Sequence, residues 1–159
     1  MDLRPYTCCF TGHRDIRPGD GPELAGNLNT VLRRLIKAEG VRYFGAGGAL
    51  GFDTLAERAV LALREEFPQL RLILVLPCGD QTAKWRQSDA DAYEALKKRA
   101  DKVVCLAERY YAGCMQARNR HLVDGAGWCV CYQYKNTGGT AYTVEYARKA
   151  GLTVFNCAP

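Results

Sequence analysis

The sequence predicts an α/β fold: a doubly wound, mainly parallel sheet of about six strands with helices on both faces. Three observations carry this prediction. Short apolar runs alternate with amphipathic stretches along all 159 residues, the order that crossover helices between parallel strands require. One run, "LRLILVLP", is apolar almost throughout, like a strand covered on both faces. Glycines cluster after the runs, where such sheets turn toward their helices and bind ligands.

The first strand is "YTCCF" (6–10), which runs into Thr11-Gly12. Asp20 before Pro22 and Glu23 is the chemistry of a helix start. Leu24, Leu28, Val31, Leu32 and Leu35 continue it at helical spacing to Glu39, and Gly40 ends it. "VRYFGAGG" is a second strand entering glycines. From Leu50, residues Leu55, Ala59, Ala62 and Leu63 share a helical face, with Glu57, Arg58, Arg64 and Glu65 turned largely away. "LRLILVLP" is the third strand, "SDADAYEALKKRA" a helix and "KVVCLA" the fourth strand. "CMQARNRHLVDG" reads as a helix with a glycine stop, "WCVCYQY" as a strand, "TAYTVEYARKAG" as a helix and "LTVFNC" as the last strand. No linker or repeat interrupts the pattern, so one domain is expected over 1–159.

The net charge of +5, from 22 basic and 17 acidic residues, suits an anionic ligand. It falls short of the clustered basic face expected of a nucleic-acid binder, so nucleic acid is not an expected partner. The start "MDLRPYTCCF" lacks the pattern of a signal peptide. No apolar run approaches the ~20 residues that a membrane span needs. A cytoplasmic location without membrane attachment is expected. Cys8, Cys9, Cys105, Cys129, Cys131 and Cys157 fall inside strand runs, where free Cys behaves as a small buried hydrophobe. No C-x-x-C pair occurs, so all eight cysteines are expected reduced, with no metal. No cofactor is expected either.

The functional reading concentrates on the loops after the strands. "TGHR" supplies Thr11, Gly12, His13 and Arg14, and "GAGGALGFD" supplies Gly47, Gly48, Gly51 and Asp53. "YKNTGGT" supplies Gly138, Gly139 and Thr140. Two of these loops open into helices, whose free N–H groups and positive dipole ends suit phosphate. Asp53 fits either ordinary helix-dipole chemistry or a ribose hydroxyl. On the helix over 114–124, Met115, Asn119 and Leu122 share one sheet-facing stripe. Asn119 must therefore tie down a loop or touch a ligand. Arg118 flanks the stripe, in reach of an anion or a structural ion pair, while Arg120 points away. Glu145 lies off the buried face of its helix, four residues before Lys149. A surface pair and a cleft-facing carboxylate both fit that position. Trp85, with Tyr110 and Tyr111, is suited either to stack on a base or to seal the sheet edge.

The set "TGHR", "GGALGFDTLAERA", "MQARNRHLVDGAGWCVCY" and "GGTAYTVEYARKAG" resembles the SLOG superfamily, which includes the DprA and Lonely Guy proteins, and within it the YpsA-like branch. The resemblance implies a Rossmann-like fold that binds a nucleotide or nucleotide derivative along these loops. It places Arg118, in "MQAR", on the arginine of the Lonely Guy motif M-H-E-R-K. It also places Gly138, Gly139 and Glu145 on two glycines and the glutamate of P-G-G-x-G-T-x-x-E. Ala141 and Tyr142 depart from that motif, Asn119 replaces its lysine, and no proline precedes Gly138.

Three functions follow from the resemblance. The first is a sensor or carrier of a small nucleotide-type ligand. The second is a phosphoribohydrolase cleaving an N-glycosidic bond. There Arg118 would hold the sugar phosphate, and Glu145 would stabilise charge at the anomeric carbon or activate water. The third is DprA-like binding of single-stranded DNA. A homo-oligomer is left open.

Overall fold

The computed structural model describes all of residues 1–159. After a short 3-10 turn at Arg4–Tyr6, strands and helices alternate as β1 (Thr7–Gly12), α1 (Gly21–Glu39), β2 (Tyr43–Ala46), α2 (Phe52–Glu66), β3 (Arg71–Leu76) and α3 (Gln87–Arg99). They continue as β4 (Lys102–Cys105), α4 (Cys114–Asp124), β5 (Trp128–Tyr132), α5 (Gly139–Lys149) and β6 (Thr153–Asn156). The six strands form one sheet in the order β4-β3-β2-β1-β5-β6. Every pairing is parallel, as the mainly parallel expectation requires.

Side-chain alternation divides the core between the two faces of the sheet. Cys8, Phe10, Leu72, Leu74, Leu76, Val130 and Tyr132 pack with α1, α2 and α3 through Leu28, Leu32, Phe52, Val60 and Leu96. Cys9, Val75, Cys129 and Cys131 point the other way, onto Leu122 and Val123 of α4 and Val144 and Ala147 of α5. The first three crossovers step outward from β1 to the β4 edge. The fourth, through α4, returns across the sheet to place β5 beside β1. The strand order reverses there, and the loops after β1 and β5 diverge to opposite faces, leaving a crevice at their carboxyl ends.

Local chemistry differs from expectation in three places. Asp20 sits at the N-cap of α1 without a side-chain capping bond. Its carboxylate instead takes the Tyr132 hydroxyl at 2.6 Å and Arg17 Nε at 2.8 Å, which ties the loop after β1 to β5. Cys105 is exposed rather than buried, because β4 is an edge strand with little cover. Glu57, expected on the solvent side of α2, is only 2% exposed. Tyr93 and Leu96 of α3 pack against the same core as α2, which covers the flank where solvent was expected.

No helix is long and apolar enough to cross a membrane. All eight cysteines are free thiols.

Candidate functional site

The crevice at the β1/β5 reversal is a cavity of about 290 Å³. Thr11, Gly12, His13 and Arg14 line it from the β1 loop, and Asp53 lines it from the first turn of α2. Arg118 and Asn119 of α4 form one wall, and Gly139 and Thr140 open α5 on the other. Loops far apart in the chain, each picked out by its residues, thus converge on one site.

Arg118 is its centre, and it is more deeply placed than the stripe predicted. The buried face of α4 runs through Cys114, Arg118 and Leu122 rather than Met115 and Asn119, so the arginine is 5% exposed and the asparagine half-buried. Arg118 donates from Nη1 to the Gly47 carbonyl and from Nε to Asn119 Oδ1 at 2.6 Å. Nη2 has only the Met115 sulfur, at 3.9 Å, which is a weak acceptor. No carboxylate lies within ion-pairing distance of the guanidinium, since none of the five ion pairs of the protein includes it. Burial lowers its pKa, opposed first by the charge of Asp53. An arginine stays charged even so. A buried cation with an under-used donor therefore faces the crevice.

Asn119 does the tying that its sequence position allowed. It braces Arg118 through Oδ1, and its Nδ2 donates to Thr143 Oγ1 at 3.0 Å, which joins α4 to α5. Thr143 in turn donates to the Gly139 carbonyl at 2.8 Å.

Asp53 is buried and accepts the Ala49 backbone N–H at 3.2 Å, so it holds the loop that carries Gly47. Burial raises its pKa, against the pull of Arg118. Glu57 is pushed well above the usual carboxylate range, first by burial and then by the neighbouring Asp53 charge, and its Oε2 has no partner. His13 accepts the Tyr134 backbone N–H at Nε2 (3.2 Å), which leaves its ring proton on Nδ1. Burial lowers its pKa, with the Lys135 and Arg17 charges adding to that.

Packing alone requires the glycines of the second loop. A Cβ at Gly47 would overlap the Arg118 guanidinium, and one at Gly51 would overlap the Arg14 carbonyl. Gly51 also has φ 76°, a left-handed conformation. Gly48 and Gly51 border a separate cavity of about 270 Å³ between α2 and α3, together with Glu57 and Trp85. Trp85 therefore stands beside the crevice rather than in it.

Gly138 and Glu145 also lie outside, on a depression along the opposite flank of α5. The Glu145 side chain is 68% exposed and pairs with Lys149 at 3.1 Å. Of the two residues assigned to catalysis by resemblance, only Arg118 reaches the crevice.

Sequence reading placed Met115 only as a member of the α4 stripe, set Glu57 on the solvent side of α2 and passed over Gln81. Glu57 and Gln81 are polar residues in segments whose own pattern does not mark them as buried, yet both are.

A family model described as the YspA SLOG family matches residues 23–154. The chain belongs to this family. Among curated relatives, a UPF0398 protein of Halalkalibacterium halodurans is 31% identical over 114 residues, covering 70% of this chain and 60% of that protein. A UPF0398 protein of Bacillus licheniformis is 30% identical over 115 residues, covering 70% and 63%. This YspA SLOG chain thus spans less than two thirds of the length of these two relatives. The UPF0398 protein YpsA of Bacillus subtilis is 28% identical over 149 residues, covering 88% and 83%.

Solved structures of DNA processing protein A share the fold. That of Helicobacter pylori, described by its single-stranded DNA binding mode, has a TM-score of 0.67 at 20% identity, covering 96% of this chain and 65% of that one. That of Streptococcus pneumoniae has a TM-score of 0.68 at 21% identity, covering 98% and 51%. The Rossmann-like architecture of this SLOG chain agrees with both.

Proposed function

We propose that this chain binds a nucleotide or nucleotide derivative by its phosphate in the β1/β5 crevice, as a sensor or carrier that does not cleave it. One observation carries the reading: Arg118 is buried, has no carboxylate partner and borders the crevice with Nη2 under-used. A buried charge is costly unless something pairs with it, and a phosphate would supply the missing acceptors. The first turn of α5, at Gly139 and Thr140, adds helix N–H groups on the facing wall. Membership of the SLOG family supports the same ligand class.

The phosphoribohydrolase reading loses support because Glu145 is exposed, paired with Lys149 and turned to another flank of α5. A single-stranded DNA ligand is the second reading, favoured by the likeness to a protein described by that binding mode. The mild net charge of +5 supports it less than a small anion.

A thermal-shift screen of nucleotides, nucleotide sugars, ADP-ribose and an oligonucleotide separates these readings. The proposal expects a small phosphate ligand to raise the Tm and to be recovered intact. Release of free base would favour the hydrolase. A shift with the oligonucleotide alone, falling steeply with salt, would favour the strand.

A further inference from the structure

The β1 loop carries a second arginine beside the crevice. His13 N–H donates to the Tyr132 carbonyl at 3.2 Å, and the His13 carbonyl accepts the Phe52 N–H at 3.2 Å. The Arg14 backbone that follows lies so close to Gly51 that a Cβ there would overlap it. The position of Arg14 is therefore fixed, yet its exposed side chain enters none of the five ion pairs.

Arg14 borders two cavities at once. One is the crevice of about 290 Å³, and the other is a cleft of about 510 Å³ that also shares Met115 with it. The Arg14 charge acts on Asp53 and on Arg118, which brings its guanidinium within electrostatic reach of the crevice. Arg118 spends Nε and Nη1 on Asn119 and Gly47 and offers Nη2, whereas Arg14 pairs with no carboxylate. Two mutually repelling cations with donors divided in this way suit two linked phosphate groups.

Beyond Arg14 the cleft becomes aromatic. Tyr110 lines it, is 62% exposed, and has its backbone N–H held by Asp80 at 2.8 Å. Lys84 adds a positive charge, and Asp80 is the one acid of the cleft. Bases stack on an aromatic side chain set in a positive groove, whatever their identity. A phosphate hook, a second cation and a stacking surface thus follow one another across two adjoining cavities.

We propose that the chain takes a nucleoside 5′-diphosphate across both cavities, with its terminal phosphate on Arg118, its inner phosphate on Arg14 and its base on Tyr110. The proposal rests on the phosphate-binding reading above and adds the class of ligand to it.

The test is calorimetric titration of the full chain at low salt, where exposed charges are least screened. The probes are adenosine and uridine 5′-diphosphates, the two matching monophosphates and ribose 5-phosphate. In the wild type each diphosphate should bind about threefold or more tighter than its monophosphate. Each monophosphate should bind about fivefold or more tighter than ribose 5-phosphate. Arg14→Gln should bring the first ratio to about one, and Arg120→Gln should leave it in place. Tyr110→Ala should bring the second ratio to about one, and Tyr110→Phe should keep it. Both side chains are exposed, so these variants should fold as the wild type does. Diphosphates that gain nothing over monophosphates, an equal loss with Arg120→Gln, or a base increment that survives Tyr110→Ala would overturn the two-cavity ligand. Binding of ribose 5-phosphate would in that case still uphold the phosphate site. No binding of any of the five ligands would overturn the underlying reading and this proposal with it.

Discussion

Asn119 holds Arg118 in place: its Oδ1 accepts Arg118 Nε at 2.6 Å while its Nδ2 is anchored on Thr143 at 3.0 Å. The guanidinium is thus oriented by a neighbour that is itself fastened to α5, the helix whose first turn faces it. Asn119→Ala should weaken phosphate-ligand binding about three- to tenfold, the worth of one hydrogen bond near 1 kcal/mol. Titration of the variant checks this. An unchanged Kd would mean that the Gly47 carbonyl alone orients Arg118.

Two glycines should differ in what their substitution does to stability, though both should weaken binding. A Cβ at Gly139 meets nothing within 4 Å, and its φ is not positive. Gly139→Val should therefore stay within about 2 °C of the wild-type Tm and lose phosphate binding, because the new side chain occupies the crevice. A Cβ at Gly47 collides with Arg118. Gly47→Ala should lower both Tm and affinity. Normal binding by Gly139→Val would place the ligand elsewhere.

Glu57 predicts a pH effect with a definite sign. Its carboxyl is raised well above its ordinary 4.5, by burial first. The stability it contributes is fully present below that value and is lost as pH rises through the folded pKa. Glu57→Gln stays neutral, so its Tm should gain on the wild type progressively as pH is raised from about 4.5. A difference in Tm that is flat across pH, or that shrinks, would show that the folded carboxyl ionises without penalty.

His13 works in the reverse direction. Its pKa is lowered from 6.5, and its neutral form keeps the Tyr134 N–H bond. The stability it adds is present above 6.5 and is lost as pH falls through the lower folded midpoint. A proton-NMR titration should place the imidazole midpoint below 6.5, with the proton on Nδ1 at neutral pH. A midpoint above the ordinary value would contradict that bond.

The fold was legible because its signals are local and repeated. Runs such as "LRLILVLP" and the glycine stops at Gly40 and Gly125 mark elements whatever their neighbours. The loops that meet at the crevice were legible for the same reason, since all follow strands of one parallel sheet. The individual side chains were harder. Helical spacing placed the buried stripe of α4 on Met115 and Asn119, one residue from the true line through Cys114 and Arg118. A charged residue at a buried position breaks the pattern that periodicity detects. Glu57 failed for a related reason, because its burial depends on α3, which no pattern within α2 encodes. Glu145 could not be placed by motif spacing alone, because spacing fixes its helix position but not which flank of α5 faces the crevice.

The central claim is that Arg118, not the general surface charge, holds the phosphate. It is tested most directly by the Kd of a nucleoside monophosphate for the wild type, Arg118→Lys and Arg120→Ala. Arg118→Lys keeps the charge but loses the fork that spans Gly47, Asn119 and the ligand. It should bind at least about tenfold more weakly, as expected for a charged hydrogen bond worth ~1.5–3 kcal/mol. Arg120 reaches only the Tyr142 hydroxyl at 3.4 Å, so its loss should change the Kd less than about twofold. Equal losses in both variants would contradict the account and point to a diffuse basic surface instead.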